Sequence, residues 1–285
     1  MRLLASLFAI GLMAVGCAKP SSNEGFTVVT AFYPLAYAAE QLEGVNVVNL
    51  TPAGVEPHDF ELSAADVELI ASADLVVYIP GFQPALDEAI AQQAPQTSLN
   101  ALDGLNLLTD PDGVTDPHVW LDPMNEAAIA SNIANRVAEL QPGKSATYAA
   151  HAAEFTSRMQ TLNEQFTSEL SNCTTHTMVV SHDAFGYLAS AYQLTQVGVS
   201  GLSPDAEPSP ARLAEVAQIV ADQGVHTIYY ETLVDPKIAT TLAATTGATA
   251  AVLDPIEGLV VGSDQNYESL MTSNLATLKK GQGCT

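Results

Sequence analysis

Three of the six histidines sit in segments that could do chemistry. His58 lies in Gly54-Val55-Glu56-Pro57-His58-Asp59-Phe60-Glu61, and His118 in Asp116-Pro117-His118-Val119-Trp120-Leu121-Asp122-Pro123. His182 ends the apolar run Val179-Val180-Ser181, and Asp254 follows the apolar stretch Ala248–Leu253. Imidazole nitrogen and carboxylate oxygen are donors suited to a borderline divalent ion, and three of the former with one of the latter make a tetrahedral set. Asp59, Asp116 and Asp183 are candidates to hold the ring tautomers of the neighbouring histidines. Glu231, at the end of another apolar run, reads as a hydrogen-bond acceptor near the same place. His151, in the middle of a long helical stretch, reads as a surface residue, and His176 and His226, just before strands, as loop hydrogen-bonding groups.

The elements that must position these residues alternate between strand and helix. Short β-branched runs at Thr27–Thr30, Val45–Leu50 and Leu75–Ile79 are separated by stretches of helical spacing, the rhythm of a parallel sheet. Ser63 with Asp66 predicts a helix start, as does Ser209 followed by Pro210. From about Lys144 to Leu170 there is neither glycine nor proline, which predicts a helical rod about 40 Å long. Beyond it the alternation resumes, with strands at Thr177–Ser181, Thr195–Val199, Val225–Tyr230 and Ala248–Leu253 and a final helix at Asn266–Lys279. The predicted class is α/β: two α/β lobes with mainly parallel sheets joined by one long rigid backbone helix. His58, His182 and Asp254 follow strand carboxyl ends, where open α/β sheets bind ligands, so the site belongs in the cleft between lobes. The expected divisions are a signal peptide at 1–16, a tether at 17–25, an N-terminal lobe at 26–143, a linking helix at 144–171 and a C-terminal lobe at 172–285. No sequence repeat relates the two lobes.

Composition bounds the function. The chain has 285 residues, 47% apolar and 14% charged, enough to bury a core and too poor in charge for disorder. With 32 acidic against 9 basic residues the formal net charge is −23, a field that repels phosphate backbones and excludes nucleic-acid binding. Arg2 and the apolar run Leu3–Val15 read as an export signal too short to span a membrane. Ala14-Val15-Gly16-Cys17 resembles the lipobox of bacterial lipoproteins, which would make Cys17 the lipidated N-terminus, with a simple cleaved signal as the alternative. In an exported chain the two remaining cysteines, Cys173 and Cys284, favour a disulfide, although spacing alone does not establish the pairing.

Taken together and in order, the four segments around His58, His118, His182 and Asp254 resemble the zinc/manganese solute-binding proteins of bacterial metal-uptake ABC transporters, the ZnuA-like and TroA-like group. The resemblance runs from about Phe26 to Lys280 and includes Pro204 to Pro210 and Tyr267-Glu268-Ser269-Leu270-Met271. It implies a two-lobed fold with a rigid backbone helix, metal ligands at His58, His118, His182 and Asp254, and a carrier that is not an enzyme. It further implies an exported, lipid-anchored or periplasmic monomer that delivers one Zn²⁺, carried as cargo, to an ABC permease. Two features depart from the group. The segment Leu108 to Pro117 is short and lacks the histidines of the long acidic loop found in many zinc members. Pro57, where some members carry a glutamate ligand, leaves Asp254 as the fourth candidate. In this group manganese sites put a carboxylate at the third position, so His182 favours zinc over a manganese-binding relative. An exported zinc hydrolase is opposed by four protein ligands and by the absence of an HExxH motif, and a surface adhesin rests on export alone. Neutral imidazoles are needed to ligate, so affinity is expected to weaken below about pH 6.5.

Overall fold

A computed structural model describes residues 25–285; the expected signal peptide, Cys17 and the tether up to residue 24 lie outside the described residues. The first sheet is built from β1 (Phe26–Thr30), β2 (Val45–Asn49), β3 (Leu75–Tyr78) and β4 (Ser98–Asn100), ordered β2-β1-β3-β4 and wholly parallel. The crossovers are α1 (Tyr33–Glu40), α2 (Ala64–Ser72) and α3 (Pro84–Gln93). Strand β4 is an addition to the sequence reading: three half-buried residues are too short for any period to show. The second sheet repeats the arrangement with β5 (Thr177–Val180), β6 (Thr195–Gly198), β7 (Thr227–Tyr230) and β8 (Thr249–Val252), ordered β6-β5-β7-β8 and again parallel. Its helices are α6 (Gly186–Ala191), α7 (Pro210–Asp222) and α8 (Lys237–Thr246). Each sheet therefore has a switch point beside its first strand, where the chain leaves in opposite directions and the carboxyl ends leave room for a ligand.

Between the sheets run α4 (Pro123–Leu140) and α5 (Ser145–Glu169), and the chain closes with α9 (Tyr267–Gly281). The expected caps form: Ser63 and Asp66 make a reciprocal capping box, and Ser209 accepts from Arg212 N. The 25 residues of α5 reach about 38 Å. The buried stripe Tyr148, Ala152, Phe155, Met159, Leu162, Phe166 advances in steps of four and three, one face of a helix laid on its neighbours. The main core is continuous from Val28 and Leu75 through Phe155 and Phe166 to Met178 and Tyr267, so both lobes share it, while a smaller core around Ile228, Val216 and Leu242 sits under α7 and α8. Arg158 of α5 adds a polar tie, donating to Glu268 of α9 and to Gln41 beside α1, while Tyr37 also donates to Glu268. A shared close-packed core leaves little freedom for wide hinge bending. Cys173 and Cys284 form the disulfide, joining the end of α5 to the end of α9. Among the described residues no helix is long and apolar enough to cross a membrane.

One buried acid in this frame has no partner. Glu126, in the first turn of α4, is fully buried with neither carboxylate oxygen hydrogen-bonded, and burial raises its pKa well above the usual carboxylate range. The folded chain then keeps a proton that the unfolded chain releases, so this group's contribution to stability falls as pH rises from the ordinary carboxylate range toward the raised value. Glu126→Gln should match the parent at pH 4 and unfold at a higher temperature than the parent at pH 8. Parallel melting curves across that range would show that Glu126 ionises freely in the fold.

Candidate metal centre

His58 sits in a single 3-10 turn, Pro57–Asp59, opened by Pro57 and capped by Glu56, whose Oε1 accepts from His58 N at 2.9 Å. His118 immediately precedes another such turn, Val119–Leu121, and Asp116 Oδ1 takes both its backbone N–H at 2.9 Å and its ring Nδ1 at 2.8 Å. His182 follows β5, with Nδ1 2.9 Å from Glu231 Oε1, an oxygen that also accepts from Ser181 Oγ. With Nδ1 of both rings turned to a carboxylate, Nε2 is the atom left for the cleft. Asp116 and Glu231 thus take the supporting places expected of them. Asp59 and Asp183 do not: the first lies near the like charge of Asp205, and the second packs its carboxylate against Gly198. His151 Nδ1 accepts from Glu43 N, far from the cleft.

The three Nε2 atoms converge on one carboxylate, and it is Glu257. Its Oε1 lies 3.2 Å from His118 Nε2, 3.2 Å from His182 Nε2 and 3.7 Å from His58 Nε2. These four side chains offer donor atoms all within 4.8 Å of one another. Asp254, expected as the fourth donor, is outside the group. Its Oδ1 accepts from Ile256 N at 2.7 Å, closing a turn, and its Oδ2 accepts from Thr232 Oγ1 at 2.8 Å, so both oxygens are occupied. That turn carries the chain three residues onward and brings the longer glutamate into the cleft. The missed signal was the acid in Pro255-Ile256-Glu257-Gly258, as close to a strand end as several residues that were considered.

The cluster is buried and unevenly satisfied. Side-chain exposure is 9% for His58 but at most 1% for the other three, so solvent reaches the site at His58, beside a recess of about 340 Å³ lined by Phe82, Val114, Pro117 and Leu202. His58 Nε2, His118 Nε2 and Glu257 Oε2 are buried with no hydrogen-bond partner. Such orphaned donors on converging rings suit a bound cation. Burial acts to lower the His182 pKa, but hydrogen bonds to Glu231 and Glu257 more than reverse it, pushing it up to about 10. Against burial, His118 is raised as well, by its hydrogen bond to Asp116 and by the charge of the nearby Glu257 carboxylate. Burial would raise Glu257, yet the hydrogen bonds and charge of the surrounding histidines hold it well below its ordinary value. Neighbouring Glu56 is pushed up to about 9 by burial and by the charge of Glu257. These partners favour the protonated form of the His118 and His182 rings and the charged form of Glu257.

The family model described as "Zinc-uptake complex component A periplasmic", ZnuA, matches residues 28–281. The chain belongs to this family. Within it, the chain is 35% identical to the zinc-binding lipoprotein AdcA of Streptococcus pneumoniae (strain ATCC BAA-255 / R6) over 98% of its own length, and spans 60% of that longer protein. It is 31% identical to the high-affinity zinc uptake system protein ZnuA of Bacillus subtilis (strain 168), with 91% of this chain and 88% of that one covered. Among solved structures of the family, the Zn(II)-bound ZnuA-like domain of S. pneumoniae AdcA superposes with a TM-score of 0.79 at 35% identity, covering 90% of this chain and 98% of that domain.

Proposed function

We propose that this protein is an extracytoplasmic zinc carrier that captures one Zn²⁺ with His58, His118, His182 and Glu257 and delivers it to an ABC transporter permease. The observation that carries the reading is the convergence of three buried imidazole Nε2 atoms and one carboxylate within a single ion's reach. Three neutral nitrogens with one oxygen favour zinc over the harder manganese ion, and a full set of four protein donors suits a carrier rather than a catalyst, which keeps an open position. Membership of the zinc-uptake family and the zinc-binding names of its relatives support the same cargo. In this reading the protein works as a monomer held at the membrane through lipid on Cys17. The lobes divide at 26–143 and 172–285, with 144–171 as the stiff connection between them. Titration of the metal-stripped protein with Zn²⁺ and Mn²⁺ against a chromophoric competitor tests it. One tight zinc per chain with much weaker manganese is expected, and the absence of a tight zinc site, or manganese winning, would refute it.

Proton release should accompany zinc capture. Zinc must displace protons from His182 and His118, whose pKa values lie above that of a free imidazole, so binding near pH 7.5 releases protons to the buffer. Apparent affinity should climb as pH rises from 6 to 9, instead of levelling off just above pH 6.5 as free imidazoles would suggest. Calorimetry in buffers of different ionisation enthalpy measures the release directly. A flat affinity profile and no buffer dependence would contradict this proton load.

A further inference from the structure

We propose that Asp254 is the positioning residue for Glu257, holding a strained turn that aims the carboxylate at the three imidazoles and is fastened to the opposite lobe. The proposal rests on the reading of Glu257 as a zinc donor. Ile256, which separates Asp254 and Pro255 from Glu257, has φ +56°, a left-handed conformation that a β-branched residue seldom adopts, and it is completely buried. The hydrogen bond from Ile256 N to Asp254 Oδ1 closes this turn across two residues, the local bond by which an aspartate side chain holds a chain reversal. Asp254 is itself gripped on every side. Thr232 donates to its second oxygen, and the Asn274 amide of α9 brackets its backbone, accepting from Asp254 N at 2.9 Å and donating to Asp254 O at 2.7 Å. Strain of this kind persists only where the surroundings over-determine it, and here they do so one residue before a metal donor.

The segment beyond the turn is also tied across the cleft. Trp120 Nε1, of the N-terminal lobe, donates to Pro255 O at 2.7 Å, and Tyr267 OH at the head of α9 donates to Trp120 O at 2.6 Å. Gly54, four residues before His58, donates its N–H to Leu259 O at 2.7 Å. Gly54 has φ +83°, and a Cβ there would lie 2.5 Å from Val261 Cγ2, so only glycine allows this approach. Residues 254–261 form a strap that begins in one lobe and is stitched to the other on both sides of Glu257. The position of the carboxylate is then set by protein contacts before metal arrives, and a side chain whose support is removed loses that geometry without losing its donor atoms.

Zinc competition titrations and Co²⁺ absorption spectra of the chain carrying Asp254→Ala, Asp254→Asn, Glu257→Ala and the double variant Asp254→Ala/Glu257→Ala test the proposal. Asp254→Ala should weaken zinc about 10- to 100-fold, the range found for groups that orient metal ligands, and should shift the cobalt spectrum toward that of Glu257→Ala. Asp254→Asn, which keeps an oxygen acceptor for Ile256 N, should restore most of the affinity. In the Glu257→Ala background the same Asp254→Ala change should add less than about threefold, because residues acting through one another are non-additive. Wild-type affinity and spectrum in Asp254→Ala, or an equal loss in both backgrounds, would overturn the proposal while leaving Glu257 as donor. Wild-type affinity in Glu257→Ala would instead take down the donor reading, and the proposal with it. If Asp254→Ala fails to unfold cooperatively, Trp120→Phe serves in its place, since it keeps a ring but loses the donor to Pro255 O. About tenfold faster zinc release to a chelator is expected there, and an unchanged rate would overturn the cross-cleft hold on the strap.

Discussion

His118→Ala should lower apparent zinc affinity by more than about 100-fold, beyond the roughly 10- to 100-fold typical of losing a group that merely supports a ligand. The ring is wholly enclosed, its Nδ1 is committed to Asp116, and its Nε2 lies 3.2 Å from Glu257 with no hydrogen bond of its own. Removing it deletes one of the four converging donors and opens a cavity with Trp120 on one side and Phe82 on another. It also leaves the Asp116 carboxylate without its ring partner in a buried position, a second penalty beyond the lost donor. Competition titration at pH 7.5 measures the affinity, and a melt without metal separates binding from folding. A variant that binds zinc within a few-fold of the parent would mean that the ion sits elsewhere.

The second large effect concerns stability. Cys173 and Cys284 are 111 residues apart, and in the loop-entropy argument a cross-link of that span stabilises by about 4–5 kcal/mol. The bond anchors the far end of α9, whose Asn274 holds Asp254 and whose Tyr267 holds Trp120, and it is reinforced by Thr174 N and Thr175 N donating to Gln282 O. Cys173→Ser/Cys284→Ser should therefore melt roughly 10 °C lower than the parent in metal-free buffer. Zinc should recover much of that difference, because an ion held only by the folded state stabilises it by mass action. Calorimetric scans with and without zinc measure both quantities. A melting temperature within about 2 °C of the parent would show that the unfolded chain gains little freedom when the bridge is cut.

Much of the frame was legible in sequence because each element carries its own local signal. β-branched runs, Ser63 with Asp66, Ser209 before Pro210 and an unbroken helical stretch after Lys144 depend on neighbours a few residues away. Strand β4 escaped because three residues display no period. The matching order of the two sheets escaped as well. Strand order depends on crossover geometry, which two unrelated sequences can share.

In the site the division is just as clear. The types and loop positions of His58, His118 and His182 pointed to one cleft because residues after strand carboxyl ends gather there whatever the details of packing. The same logic applied to Asp254 named the neighbouring acid instead of the one that faces the rings. Which of two carboxylates three residues apart turns inward is decided by a left-handed residue at Ile256, by the grip of Thr232 and Asn274, and by Trp120 reaching across from the other lobe. Two of these contacts join residues about 20 apart, and the third joins residues 135 apart. Composition, export signal, helix and strand boundaries and the three imidazoles belong to the chain read locally. The identity of the fourth converging donor, the proton load on the rings and the strap over the cleft come into being only when distant segments are packed together, because burial and long-range hydrogen bonds are properties of the assembled fold.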